Sequence, residues 1–224
     1  MTRKSLLFAS IATIAAMLLA AWIVGSGLPA GLPLPTHWGL DGEPDRFSGK
    51  WTALLMPVGL VLGLTALFYF LPALEPRRLG LERSQGLYLW TWAALLILGF
   101  VIQLAVISVA LRWSVHGTSF ILGGIGLMFV LIGNQLGKSR SMYLIGIRTP
   151  WTLASEEVWI KTHRLAGKLM VGGGLLMFAA AFLPLPNGLI ATLIVGVVGS
   201  MVLIPAVYSY QLWRGERRRD EARR

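Results

Sequence analysis

The three histidines and the carboxylates near them are the side chains best suited to acid–base or metal chemistry. His37 precedes Asp41, Glu43 and Asp45, and a His–carboxylate pair is a common general base. The alternating acids also resemble the start of a calcium loop. That pattern then fails: Pro44 intrudes, Arg46 stands where the loop needs Gly, and Thr52 stands where it needs a bidentate Glu. What remains is an acidic cluster able to pair with Arg46 and Lys50, with His37 and Trp38 at the level of lipid headgroups. A second set is His163 with Glu156, on one face of a helix. Two ligands are too few for zinc, so His163 is expected to be hydrogen-bonded. His116, in "SVHGTS", has no evident partner. The absence of cysteine removes disulfides, thiolate metal sites and cysteine nucleophiles together. No catalytic residue, metal or cofactor is expected.

The elements that position these residues are apolar. Hydrophobic residues make up 55% of the 224 positions and charged residues 13%, about half the share in soluble domains. With a mean hydropathy of +0.68, the chain reads as an integral membrane protein. A spanning helix needs about 20 mostly apolar residues. Six stretches qualify: Leu6–Val24, Trp51–Leu74, Leu87–Leu111, Ser119–Leu136, Leu165–Leu183 and Leu189–Tyr210. The first follows Arg3 and Lys4 like a signal peptide, but its apolar run is too long and no small-x-small cleavage site follows. It reads as a retained span. The fold class is therefore an all-α membrane protein, a six-span transmembrane helix bundle.

An even number of spans puts both termini on one side. All Lys and Arg except Arg46, Lys50 and Arg112 then fall on that side, which the positive-inside rule makes cytoplasmic. The net charge of +10 is thus topological, and no nucleic-acid partner is expected. The basic tail can also touch anionic lipid, diluted by Glu216, Asp220 and Glu221.

Apart from Lys168 near an end, the spans hold no ionisable side chain. Such groups mark ion paths and proton relays, so ion-coupled transport and intramembrane proteolysis are disfavoured. Gln103 is expected to bond across helices. Gly59 with Gly63, Gly133 with Gly137, and Gly196 with Ser200 have the spacing of helix-packing pairs. The Gly172–Gly174 run lacks the strand and Lys-Ser/Thr pair of a phosphate loop. The repeated "LPLP", Leu32–Pro35 and Leu183–Pro186, should end spans or stiffen turns.

Two loops concentrate the remaining chemistry. Outside, residues 25–50 include "LPLPTHWGLDGEPDRFSGKW", where Pro33 and Pro35 favour extended backbone and Asp41-Gly42 a turn. Trp51 reads as an interface anchor. Inside, residues 137–164 end in "GIRTPWTLASEEVWIKTHR". Pro150 restricts Thr149 and fixes the turn Thr149–Thr152. Ser155 should cap a helix whose first turn carries Glu156 and Glu157. Glu157, Lys161, Arg164 and Lys168 then form one stripe, with Val158, Trp159 and Ile160 off it. Arg148 is a donor fork for carboxylates or helix-end carbonyls. With Asn134 it either ties the loop to the bundle or meets a partner.

"GN", "IGIRTPWTL", "SEEVW" and "KTHRLAGKL", in this order before an apolar span, resemble the SdpI family of bacterial immunity proteins. The outer segment resembles the module of unknown function that opens many members. Ser141-Met142 departs from the Pro-Asn common there. The resemblance implies residues 1–86 as an N-terminal two-span module and 87–224 as a four-span SdpI-like module. It implies a non-enzymatic protein of the bacterial cell membrane that protects against a secreted toxic peptide and can hold a repressor protein inside. His37, Trp38, Asp41, Glu43, Asp45 and Lys50 would face the peptide. Asn134, Arg148, Thr149, Pro150, Trp151, Thr152, Glu156, Trp159, Thr162 and His163 would serve the cytoplasmic partner or the loop's own structure. The alternative is a transporter or exporter of a small hydrophobic molecule, which would need a polar or broken-helix site near the midplane. A membrane enzyme using the His–carboxylate sets is a third possibility.

Overall fold

The computed structural model describes residues 1–39, 42–114 and 117–222, so Asp41 and His116 lie outside the described residues. Helix α1 (Arg3–Gly27) starts at a reciprocal cap between Thr2 and Ser5. Strands β1 (Pro33–Trp38) and β2 (Pro44–Gly49) follow, then α2 (Lys50–Leu74), the short α3 (Arg78–Arg83) and α4 (Gln85–Ala110). The second half holds α5 (Gly117–Leu136), the single-turn α6 (Pro150–Ala154), α7 (Glu156–Ala180) and α8 (Asn187–Ala222).

Among the described residues, five helices are long and apolar enough to cross a membrane: α1, α2, α4, α5 and α8. The remaining expected span, Leu165–Leu183, falls mostly in α7. That helix begins well before it, with Glu156, Glu157, Lys161, Arg164 and Lys168 in its leading half. α8 overshoots its expected end at Tyr210 by more than two turns.

The chain is mostly helical, as expected, and the outer segment adds one short element to it: β1 and β2 pair antiparallel as a hairpin. Pro33 and Pro35 tolerate this because a two-stranded sheet has free edges that need no donor. Pairing runs from Pro33 with Gly49 to Trp38 with Pro44, and slips between Pro35 and His37. Thr36 is the extra residue, as in a bulge. Leu34 plugs the hairpin into the bundle, 2% exposed among Ala21, Ala53, Leu54, Val106 and Ile107.

Two ends of the bundle can be told apart by their contacts. At the hairpin end lie β1–β2 and the α4–α5 and α7–α8 turns. At the loop end lie residues 137–155, the α2–α4 connection, the start of α1 and the last turns of α8. The Arg3 guanidinium there donates to the Tyr69 carbonyl and sits 4.5 Å over its ring. In the interior, Gln103 donates to the Met17 carbonyl at 2.9 Å and the Leu54 carbonyl at 3.1 Å, tying α4 to α1 and α2 as expected.

Helices α5 and α7 approach backbone to backbone. A Cβ on Gly126 would lie 2.6 Å from the Gly174 carbonyl oxygen, and one on Gly133 would lie 2.9 Å from that of Gly167. Gly173 faces the other way, onto Val197 of α8. The glycine run thus wedges α7 between α5 and α8, and Gly133 and Gly137 pack as expected. Gly59, Gly63 and Gly196 do not: a Cβ there would meet nothing within 4 Å. Their spacing is a helix-packing spacing on faces that no other helix covers.

Candidate functional site

The loop end is organised around a carboxylate. Glu75 follows α2 directly and is 2% exposed. Its oxygens accept from the backbone N–H of Arg77 at 2.9 Å, Tyr143 at 3.0 Å and Leu144 at 2.8 Å. A carboxylate at a helix C-terminus opposes the helix dipole, and burial adds a desolvation cost. Amide donors from a segment 68 residues away offset both. Arg77 extends the clamp. It donates to Ser141 Oγ and to the Leu153 carbonyl at 3.3 Å, and lies 4.6 Å over the Tyr143 ring. Ser84 Oγ accepts from the Arg140 N–H at 2.7 Å. Ser141 N–H donates to Glu156 at 3.3 Å, a bond the Pro common at this position could not make.

His163 holds the next stretch. It is fully buried and stacked on Trp159, with ring centroids 3.9 Å apart. Its Nε2 accepts from the Ile147 N–H at 2.9 Å, which leaves the proton on Nδ1 to donate to the Trp159 carbonyl at 2.8 Å. Burial pushes its pKa down to about 4, against a smaller opposing effect of the Trp159 carbonyl. His163 is therefore neutral and both ring nitrogens are engaged. Gly146 makes the approach possible. Its φ is +128°, and a Cβ would stand 2.7 Å from His163 Nε2 and 2.8 Å from the Trp159 ring. Trp159 Nε1–H donates to Ser139 Oγ at 3.1 Å.

The turn at Pro150 is the helix α6. Thr149 caps it and exchanges hydrogen bonds with Thr152, whose hydroxyl also donates to the Ile147 carbonyl at 2.8 Å. Pro150 takes the first helical position, where its missing N–H costs nothing. α6 is docked on α8: Thr149 Oγ1 lies 3.2 Å from Ser209 Oγ, and Trp151 meets Tyr210 edge-on at 5.1 Å. Ser155 caps α7 as expected, accepting from Val158 N–H, and its hydroxyl donates to Glu216 at 3.2 Å.

The structure thus brings Thr149, Thr152, Trp159 and His163 into one knot, with Pro150 and Trp151 on its α8 side. Arg148 is exposed and donates to the Tyr143 carbonyl at 2.7 Å, inside its own loop. Asn134 is exposed on α5. Glu156 faces Arg140 and Ser141 rather than His163, so the suggested acid–base pair does not form. Thr162 is buried, and its hydroxyl has no hydrogen-bond partner among the described residues. The Glu157, Lys161, Arg164 and Lys168 stripe is exposed throughout, with Glu157 paired to Lys161. That pair holds the Glu157 carboxyl below its ordinary pKa, through the hydrogen bond first and charge second. Glu75, Arg77, Ser84 and Ser139 were not anticipated. An acid at the C-terminal end of an apolar helix needs an outside partner, but nothing in the sequence says that backbone amides of residues 143 and 144 supply it.

At the hairpin end, His37 Nδ1 lies 2.6 Å from Asp45 Oδ1 across the hairpin. The Lys50 ammonium caps the α1 end at the Leu28 carbonyl. Trp51 packs on Gly25 of α1. Trp38 lies against Gly117 at the start of α5, and Thr118 donates to the Gly42 carbonyl. Between the hairpin and the two interhelical turns opens a cleft of about 450 Å³, lined by Trp38, Glu43, Arg112, Trp113, Leu122 and Leu185 among others. Arg112 turns the chain there with φ at 53°. Apolar walls with a few polar groups are the usual make-up of a ligand pocket. Among the described residues no three His, Asp or Glu side chains converge as a metal site.

Residues 138–209 match the SdpI/YfhL protein family, and residues 11–61 match a domain of unknown function, DUF1648. The chain is 27% identical over 173 residues to the Immunity protein SdpI of Bacillus subtilis (strain 168), covering 77% of this chain and 80% of that one. No solved structure matches the chain. The SdpI-family resemblance read from the sequence holds, and the chain is a multi-pass bacterial membrane protein.

Proposed function

We propose that this chain is a membrane immunity protein: it meets a secreted toxic peptide at the hairpin end and presents its loop end to a cytoplasmic partner. The similarity to the Bacillus subtilis immunity protein along most of both chains carries this reading. In it, α7 is the fifth of six crossings, with its charged first turns in the cytoplasmic interface, and both termini are cytoplasmic. Charges in the leading half of α7 fit that placement, because they sit at the loop end beside the basic connections.

Two structural features support a binding role. Glu75 is saturated by amides and His163 has both nitrogens bonded, so the buried groups of the loop end are committed to holding the backbone. The cleft at the hairpin end offers Trp38, Trp113 and Arg112 to an amphipathic peptide arriving at the bilayer surface. The exposed Lys161, Arg164 and Lys168 supply a charged face for a repressor. The test is survival. A peptide-sensitive bacterium expressing the chain should resist a killing peptide, and Trp38→Ala with Trp113→Ala should abolish resistance at unchanged membrane abundance. If the intact chain protects against none of a panel of secreted peptides and captures no repressor from membranes, the reading is wrong.

A further inference from the structure

The cytoplasmic partner and the peptide do not account for the far end of α8. At 36 residues and about 1.5 Å of rise each, this helix is about 54 Å long, against a hydrocarbon core of about 30 Å. It continues without a break through Tyr210 into a run of arginines. Tyr210, Trp213, Arg214, Arg217, Arg218 and Glu221 recur at helical spacing and line one open groove of about 280 Å³. Trp151 closes its aromatic end, 5.1 Å from Tyr210 and 6.4 Å from Trp213.

Two observations give this groove a direction. Helical side chains lean toward the N-terminus of their helix, which for α8 means back toward the bilayer. Arg217 shows it: its guanidinium lies 4.9 Å over the Trp213 ring, one turn nearer the membrane. Three guanidinium groups and one carboxylate line the groove. Glu216 points away and bonds Ser155, while Glu221 lies at the end farthest from the bilayer. Aromatic rings on the membrane side of three guanidinium groups suit a phosphodiester whose glycerol sits beside the rings.

We propose that the Tyr210–Arg218 face of α8, with Trp151, binds the headgroup of an anionic phospholipid. The lipid would also brace α6, since Thr149 and Trp151 rest on the same stretch of α8.

The full chain is placed in phosphatidylcholine nanodiscs containing a minor fraction of phosphatidylglycerol, and retained lipid is counted by native mass spectrometry. The intact protein should retain phosphatidylglycerol selectively. Arg214→Gln, Arg217→Gln and Arg218→Gln should each weaken retention about fivefold, and Trp213→Ala should weaken it with all charges kept. Hydrogen exchange of residues 149–154 should slow when phosphatidylglycerol is added to the intact protein, but not to the triple Gln variant. Three results would overturn the proposal. The first is equal retention by intact and triple-variant protein, which would leave this face to an acidic protein. The second is an equal loss in Lys138→Gln with Arg164→Gln, which would make the attraction diffuse. The third is displacement of the lipid by inorganic phosphate. Melting in pure phosphatidylcholine separates any folding defect from lost lipid binding.

Discussion

Glu75 and His163 hold the loop by opposite electrostatic means, one as a buried anion and one as a buried neutral base. Glu75→Gln keeps the shape but replaces one acceptor oxygen by a donor facing amides that are themselves donors. Hydrogen bonds to a charged group contribute about 1.5–3 kcal/mol each, so a loss of at least about 2 kcal/mol is expected. It should appear as a lower melting temperature and faster amide exchange at Tyr143 and Leu144. His163 makes stability depend on pH. Its folded pKa, about 4, lies below the ordinary value of 6.5. Above that ordinary value both folded and unfolded states are neutral and nothing is lost. As pH falls from 6.5 to 4 the unfolded state takes up the proton first, so stability falls, by about 3 kcal/mol at the lower limit. Below the folded pKa the loss levels off. A melting series across that range should show this slope, and His163→Gln should flatten it; an unchanged slope would reassign the titration to another group. His163 was legible in the sequence as a bonded histidine. Glu75 was not, because its three donors are backbone amides, which carry no sequence signature.

At the level of elements, apolar length made α1, α2, α4, α5 and α8 readable, since crossing a bilayer demands long runs with few charges. The hairpin was half-readable: Pro33 and Pro35 announced extended backbone, but pairing depends on Leu34 finding a site between α1, α2 and α4. Glycine spacing was the least informative cue. It is the same at Gly59–Gly63 and Gly133–Gly137, while only the second pair faces a neighbouring helix. The two cases separate experimentally. Gly126→Ala must push α7 off α5 and should destabilise by about 1–3 kcal/mol. Gly59→Ala has open space and should be neutral or stabilising by up to about 1 kcal/mol. Thermal melts of the two variants in detergent check both; equal effects would mean that the α5–α7 approach is looser than described.

For the whole molecule, the division at residue 86 read from the sequence crosses a continuous interior. Leu6, Phe68 and Leu71 share one buried cluster with Leu87, Trp92, Met142 and Trp159. Orientation can be tested directly because the chain has no cysteine of its own. A membrane-impermeant maleimide should label Phe47→Cys on intact cells and Ala222→Cys only after permeabilisation; the reverse pattern would invert the topology. The Glu75 clamp also sets an order of events during biosynthesis. At about 5–20 residues per second, a ribosome delivers Tyr143 roughly 3–14 s after Glu75, the two being 68 positions apart. Until then the carboxylate has no amides from the loop to receive it and stays hydrated at the membrane surface. The first two helices can insert early, but the C-terminal end of α2 is clamped only once Tyr143 and Leu144 have arrived.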